Sequence, residues 1–405
     1  MLRTIRSNEA LLGLLIATAI SMSGQGIISP VLPLYAQTFQ VNIVMVGMAV
    51  SAFGLARLFL GLPAGLAADR YGRHHLLVLG AGLFAVANVA AGLAGDFWLL
   101  IACRLLAGAG SSVFLTTGRV VIADLSTPAN RGRLMAYYEL SFVLGISLGP
   151  AIGGFAAELF GYASPFFLVG GLSTIGALWT HFRVPETRPA ETPSSSPRPA
   201  LRPSFFFYPP LFGVGLVALA VFFTRTGSRQ GILPLVGAAA GLTPSQIGLI
   251  YTGVLLAEMI CMPGAGILAD RLDRRFVLVV GLVVPALGLL LLVASQDTWS
   301  FIVASLLVGV GLAATGPALA ATFIEAAPPA GGPGLSMGLY RTYGDVGSLL
   351  GGPLLGCFAD HTGFGGSLGA NALFLAAATA GFLALARRGP ASAQSREPLR
   401  EGPPS

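Results

Sequence analysis

Apolar runs of about 20 residues follow one another along the chain, separated by short polar turns, and a run of that length crosses the hydrocarbon core of a bilayer. They cover approximately 10–36, 42–67, 74–94, 97–122, 134–159 and 164–182, then 206–235, 244–268, 276–295, 299–326, 335–359 and 367–386. None alternates apolar and polar positions as a barrel strand does, and backbone groups in hydrocarbon must be satisfied internally. The pattern therefore predicts twelve helical spans, numbered 1–12 below. Between spans 6 and 7, Pro185 to Ser204 is rich in Pro and Ser and predicts a flexible linker. The stretch from Pro390 to Ser405 has the same character and is predicted to be disordered. The expected organisation is a six-helix half at 1–184, a linker at 185–204, a second half at 205–389 and a cytoplasmic tail at 390–405.

Composition sharpens this picture. The 405 residues are 54% hydrophobic and 10% charged, where a soluble domain carries roughly 25% charged residues. That excludes a soluble enzyme, a secreted protein and a nucleic-acid binder, and predicts an all-α membrane protein. The net charge is +6, and all 23 basic residues are Arg. Cys103, Cys261 and Cys357 sit singly in apolar runs, without metal-ligand or disulfide spacing. The start, with Arg3 and Arg6 before an apolar stretch, resembles a signal peptide, but the stretch continues past Ser29 and reads as a retained first helix.

Position decides what the charge means. Seventeen Arg fall at the N-terminus, in the 2–3, 4–5 and 8–9 loops, around the linker and in the tail, and the opposite loops hold none. The positive-inside rule then places both termini and the linker in the cytoplasm, and an odd number of spans would break it. The halves also repeat each other. Pro33/Pro234, Gly65/Gly266, Asp69/Asp270, Arg70/Arg271, Gly108/Gly309, Gly110/Gly311 and Asp124/Glu325 are each 201 residues apart. A duplicated six-helix unit with a midplane site between its halves is a transporter architecture.

Gly65 to Arg73 read GLAADRYGR, and Gly266 to Arg274 read GILADRLDR. These resemble the 2–3 loop signature of the major facilitator superfamily, G-x-L-A-D-R-x-G-R-[KR], and the resemblance spans essentially the whole chain. It departs at Ala67, at His74 and, in the second copy, at Asp273. The expected gate comprises Gly65, Asp69, Arg70, Gly72 and Arg73 with Asp124, and Gly266, Asp270, Arg271 and Arg274 with Glu325. An Asp near the start of another helix is favoured by the exposed N–H groups there, and the Arg residues can pair with Asp124 or Glu325 at the ends of spans 4 and 10. In span 4, Arg104-x-x-Ala107-Gly108-x-Gly110 is similar to the family's R-x-x-Q-G-x-G without the Gln. The resemblance links Arg104 to proton coupling, while its depth of ~10 Å also suits snorkelling. In span 5, Gly145, Gly149, Pro150, Gly153 and Gly154 resemble G-x-x-x-G-P-x-x-G-G, the signature of the superfamily's antiporters, mainly drug/proton exporters. Small residues allow close helix approach, so this face is expected to seal the halves at one side of the membrane, or to serve ordinary helix packing.

Ionisable residues inside spans are functional candidates. Arg57 and Glu258 lie ~18 Å from the cytoplasmic end of spans 2 and 8, and Asp345 ~16 Å from that of span 11. In the family spans 2 and 11 face each other, which lets Arg57 pair with Asp345, a proton-sensitive contact. The local alternative is an Arg341–Asp345 pair at i,i+4. Glu258 has no neighbour in sequence to pair with, so it is expected either to carry a proton or to meet an Arg from another span. Glu139 is expected to pair with Arg119. In span 7, Arg225 and Arg229 share a face beside glycines. Arg225 is the candidate for an anionic group on the substrate, and Arg229, near Pro234, is expected to snorkel outward. Gln25 and Tyr35 in span 1 are candidate lining residues.

No Gly-rich phosphate loop with Lys occurs, which removes ATP-driven transport, and the four His form no metal set. The expectation is a non-enzymatic secondary transporter, without a cofactor and powered by the proton gradient, that works as a monomer in the cell's inner membrane. It is expected to export small organic molecules in exchange for protons. Uptake of a small organic anion with protons and a non-transporting sensor are the alternatives.

Overall fold

The computed structural model describes residues 9–127, 130–187, 208–295, 297–326 and 333–386, so most of the expected linker and all of the expected tail lie outside the described residues. Span 1 is α1 (Glu9–Ile28) followed by the short α2 (Leu32–Gln37), and Pro30, which lacks an N–H, falls at the break. Spans 2 to 6 are α3 (Ile43–Tyr71), α4 (Arg73–Gly92), α5 (Phe97–Asp124), α6 (Arg131–Phe160) and α7 (Ser164–Arg183). Span 7 joins α8 (Pro209–Thr224), a π-helical stretch (Arg225–Ile232) and α9 (Leu233–Ala239). Spans 8 to 10 are α10 (Pro244–Arg271), α11 (Arg274–Ala294) and α12 (Thr298–Glu325).

Spans 11 and 12 form one 54-residue run, α13 (Pro333–Ala386). Straight, it would measure about 80 Å, far beyond a ~30 Å core. The chain turns at Gly363, where φ is 73°, a conformation glycine adopts without steric cost. Ten helices among the described residues are long and apolar enough to cross a membrane, α13 counting once. The 20-residue α7 is not one of them: its last turn carries His181 and Arg183, while the Thr174 and Thr180 hydroxyls each donate to a carbonyl one turn back. The chain is an all-α, multi-pass integral membrane protein.

The internal repeat extends to helix starts at the Arg-free ends. Asn42 and Asp96 accept from Met45 N–H and Leu99 N–H at the starts of α3 and α5. Their counterparts Thr243 and Asp297 close reciprocal capping boxes at α10 and α12, satisfying N–H groups that hydrocarbon would leave orphaned. Within the first half α1 packs on α6 and α7, and α5 on α3 and α4. In the second, α8 packs on α13 and α12 on α10 and α11. Two seams join the halves, α6 against α10 and α3 against α13.

Candidate transport site

The seams close where small residues let backbones meet. A methyl group at Gly47 would collide with Gly352 O, one at Gly356 with Ile43 O, and Ser51 Oγ donates to Ser348 O at 3.0 Å. On the second seam, Gly154 lies against Pro244 O, Gly248 against Pro150 O, and Ala151 N–H donates to Thr252 Oγ1 at 2.9 Å. Each seam ends in a carboxylate that caps a helix of the other half. Asp360 accepts from Ile43 N–H (2.9 Å) and Val44 N–H (3.0 Å), and Glu158 accepts from Ser245 N–H at 3.0 Å. All of these contacts lie toward the Arg-free ends. Toward the Arg-rich ends, Arg341 is 43% exposed and Glu139 52%.

The span 5 glycines divide their work. Gly145, Gly149 and Gly153 press on Ala19 O, the Gly26–Ile27 backbone and Ile27 O of α1, inside their own half. Pro150, Ala151 and Gly154 reach across. Both readings of the motif therefore apply in part: Gly145, Gly149 and Gly153 serve packing of α6 against α1, and Pro150 and Gly154 serve the seam. Span 11 behaves alike, with Gly347 and Gly351 on the carbonyls of Leu219 and Phe223, while Gly352 and Gly356 meet α3.

Charged residues begin one turn below the first seam. Arg57 follows Gly54 on α3, and Asp345 precedes Ser348 on α13, so both continue the facing stripes. A methyl group at Gly54 would come into ordinary contact with Ser348 Cβ, so the two positions face each other. Asp345 lies 3.9 Å from Arg341 on its own helix, and no ion pair joins it to Arg57. Arg57 and Arg104 both stack on Phe53, their guanidinium carbons 6.0 and 4.8 Å from the ring centre, and the Nε of each is buried without a hydrogen-bond partner. Gln25 is half-buried, its Oε1 also unpartnered.

Across the interface the π-helical stretch widens span 7. Thr224 Oγ1 donates to Asn371 Oδ1 at 3.0 Å, Asn371 Nδ2 donates to Ser228 Oγ at 2.7 Å, and the Tyr251 hydroxyl donates to Arg229 O. The last of these satisfies a backbone carbonyl of the altered turn, and the first two tie its side chains to span 12. Arg229 does not snorkel outward: it pairs with Glu258 at 2.5 Å, both nearly buried. Glu258 is thus partnered from another span, because hydrocarbon penalises a lone carboxylate. Arg225 stacks on Phe222 at 5.6 Å with its Nε buried and unpartnered. Tyr35, expected to line the site, packs instead against Phe39 and Phe166 and donates to Ala91 O at 3.1 Å, inside the first half. A phenol buried there needs that carbonyl.

At the Arg-rich ends, Arg73 donates to Asp124 (3.0 Å), Asp69 (3.2 Å) and Ala68 O (3.1 Å). Arg274 pairs with Glu325, and Arg119 with Glu139 at 3.5 Å. Gly72 turns between α3 and α4 at φ 92°. A methyl group at Gly65 or Gly266 would make only ordinary contact, with Thr116 and Pro317. Arg70 and Arg271 are exposed, and the side chain of Asp270 lies outside the described residues. The start of α4 is capped by Glu186, which accepts from Arg73 N–H (2.9 Å) and His74 N–H (3.2 Å). Thr187 Oγ1 donates to Asp124 at 3.3 Å. Sequence reading missed Glu158, Asp360 and Glu186. The first two play matching parts in the halves but lie 202 residues apart, one off the repeat spacing of 201, which hid them.

Two duplicated halves, sealed at one end around a charged layer, are the architecture of a membrane transporter. A profile of the Major Facilitator Superfamily matches residues 14–231 and 214–404, and the chain belongs to that superfamily, whose members are transporters and not enzymes. It is 27% identical over 347 residues to the inner membrane transport protein YajR of Escherichia coli (84% of this chain, 74% of that protein). It is 26% identical over 274 residues to multidrug resistance protein 1 of Bacillus subtilis (67% and 69%). A crystal structure of a bacterial homologue of the human lysosomal transporter Spinster superposes with a TM-score of 0.80 at 17% identity, covering 93% of this chain and 96% of that one.

Proposed function

We propose that this transporter is a proton-coupled antiporter that exports small organic molecules by alternating access, as a monomer in the inner membrane with both termini cytoplasmic. The observation that carries the reading is Asp345, a carboxylate on the seam one turn below its closed part, with Arg341 beside it and Arg57 at the same level on the facing helix. Protonation removes its charge, frees Arg341 and weakens the electrostatic attraction between Asp345 and Arg57 across the seam, so the halves rock. Release of the proton on the other side restores the charge and the attraction. The proton gradient supplies the energy, without ATP or a cofactor. Export is supported by the span 5 signature and by the multidrug-resistance relative.

The test is accumulation of a dye and drug panel in cells stripped of their own efflux pumps, with wild type and Asp345→Asn, with and without a protonophore. The reading expects lower accumulation with wild type, lost in the mutant or with the protonophore. Unchanged flux in a correctly inserted Asp345→Asn protein removes Asp345 as the coupling acid. Uptake of an organic anion with protons, favoured by the same intramembrane arginines, predicts the opposite direction of flux.

A further inference from the structure

Six arginines lie within the spans, and their partners divide them into two groups. Arg229 is held by Glu258, Arg341 lies beside Asp345, and Arg119 meets Glu139. Arg57, Arg104 and Arg225 have no hydrogen bond or ion pair from their side chains to any described residue, and each has a buried, unpartnered Nε. Arg104 is 6% exposed. The mid-span carboxylates, Glu258 and Asp345, are already engaged by the first group. The layer between the halves therefore carries three guanidiniums beyond what its own acids offset. Hydrocarbon tolerates a charged residue only where a partner or water-filled cavity compensates it.

Each uncompensated guanidinium is laid on an aromatic ring: Arg57 and Arg104 on Phe53, Arg225 on Phe222, which also packs edge-on against Tyr340. Stacking fixes the plane of the guanidinium and leaves its N–H edge for a carboxylate, sulfonate or phosphate. The same rings offer apolar surface to the body of a ligand.

From this we infer that the substrate is an amphipathic organic anion, its acidic group taken by Arg57, Arg104 or Arg225 and its aromatic or aliphatic body by Phe53, Phe222 and Tyr340. The inference rests on the transport reading above and names the substrate class of that same site. Anion leaving and proton entering both carry positive charge inward, so the membrane potential assists the exchange.

Binding and transport are tested separately. Fluorescein serves as the anionic probe and ethidium as the cationic one, each followed by fluorescence polarisation on purified protein and by flux in proteoliposomes with an imposed pH gradient. Expected are saturable fluorescein binding, competed by other carboxylates, and no ethidium binding. Arg104→Gln and Arg225→Gln should weaken fluorescein binding about tenfold or more, the loss of one charge-assisted contact. Arg104→Lys should restore part of it, and unchanged melting temperatures would show that the variants fold. Ethidium binding without fluorescein binding overturns the inference and leaves transport intact. Equal affinity in wild type and all Gln variants overturns it too, assigning the arginines to hydration or packing. Fluorescein binding without proton-dependent flux keeps the substrate class and sinks the antiport reading.

Discussion

The Asp360 carboxylate accepts the N–H of Ile43 at 2.9 Å, so the last turn of span 11 caps the first turn of span 2 in the other half. Glu158 does the same for Ser245 on the second seam. The positive end of a helix dipole favours a carboxylate, and both caps exist only while the halves are closed here. Asp360→Asn with Glu158→Gln is expected to raise the population open at the Arg-free ends several-fold. The check is labelling of Ser51→Cys by a membrane-impermeant maleimide, with Cys103, Cys261 and Cys357 replaced. Identical labelling with and without the caps would show that the glycine contacts suffice.

Glycines on the two faces of span 11 should respond differently. Gly352→Ala meets Gly47 O across the seam and is expected to prevent closure while leaving thermal stability near wild type. Gly351→Ala meets Phe223 O and Gly227 N inside its own half, and overpacking there costs about 1–3 kcal/mol. Melting curves beside the maleimide assay separate the two effects. A destabilised Gly352→Ala would place its contact within the fold of one half.

The Arg229–Glu258 pair makes a stability prediction. Each side chain is about one-tenth exposed, and removing one partner of a buried pair costs about 3–5 kcal/mol. Glu258→Gln and Arg229→Met alone should each lower the melting temperature strongly, and the double variant should recover much of the loss. Additive losses would show that the two groups do not act as a pair.

Asp297 gives a pH dependence outside the spans. The Ser300 hydroxyl and N–H, with Trp299 N–H, hold its carboxyl below the ordinary 3.8. The folded state then binds the proton less readily than the unfolded chain, so the contribution is present above that value and fades as pH falls through the lower folded value. Asp297→Ala should lower the melting temperature at neutral pH and flatten its acid dependence. A parallel offset at every pH would mean that the side chain acts by packing alone.

The sequence made legible what depends on hydrophobic run length, charge by loop and a fixed repeat. Twelve spans, two halves and the partners of Arg73 and Arg274 all follow from these. Rotation of each helix about its axis was not legible. Gly145 and Gly154 share one motif, yet one faces α1 and the other α10. Tyr35 turned inward to Ala91 O, and Glu258 met Arg229 across a distance in sequence that no i,i+4 rule covers. The π-helical turn was hidden for another reason: RTGSRQGI has the composition of a loosened α-helix, and Asn371, which pegs it, comes from span 12.

That stretch gives span 7 a choice of register. Its turns close five residues back instead of four, so rewinding Arg225–Ile232 to an α-helix would rotate everything before it against everything after it. Arg225 on Phe222 and Arg229 on Glu258 would then change their direction relative to one another. The second half is thus equipped to re-aim two positive charges by a local rewind, like a shaft with slip in its middle.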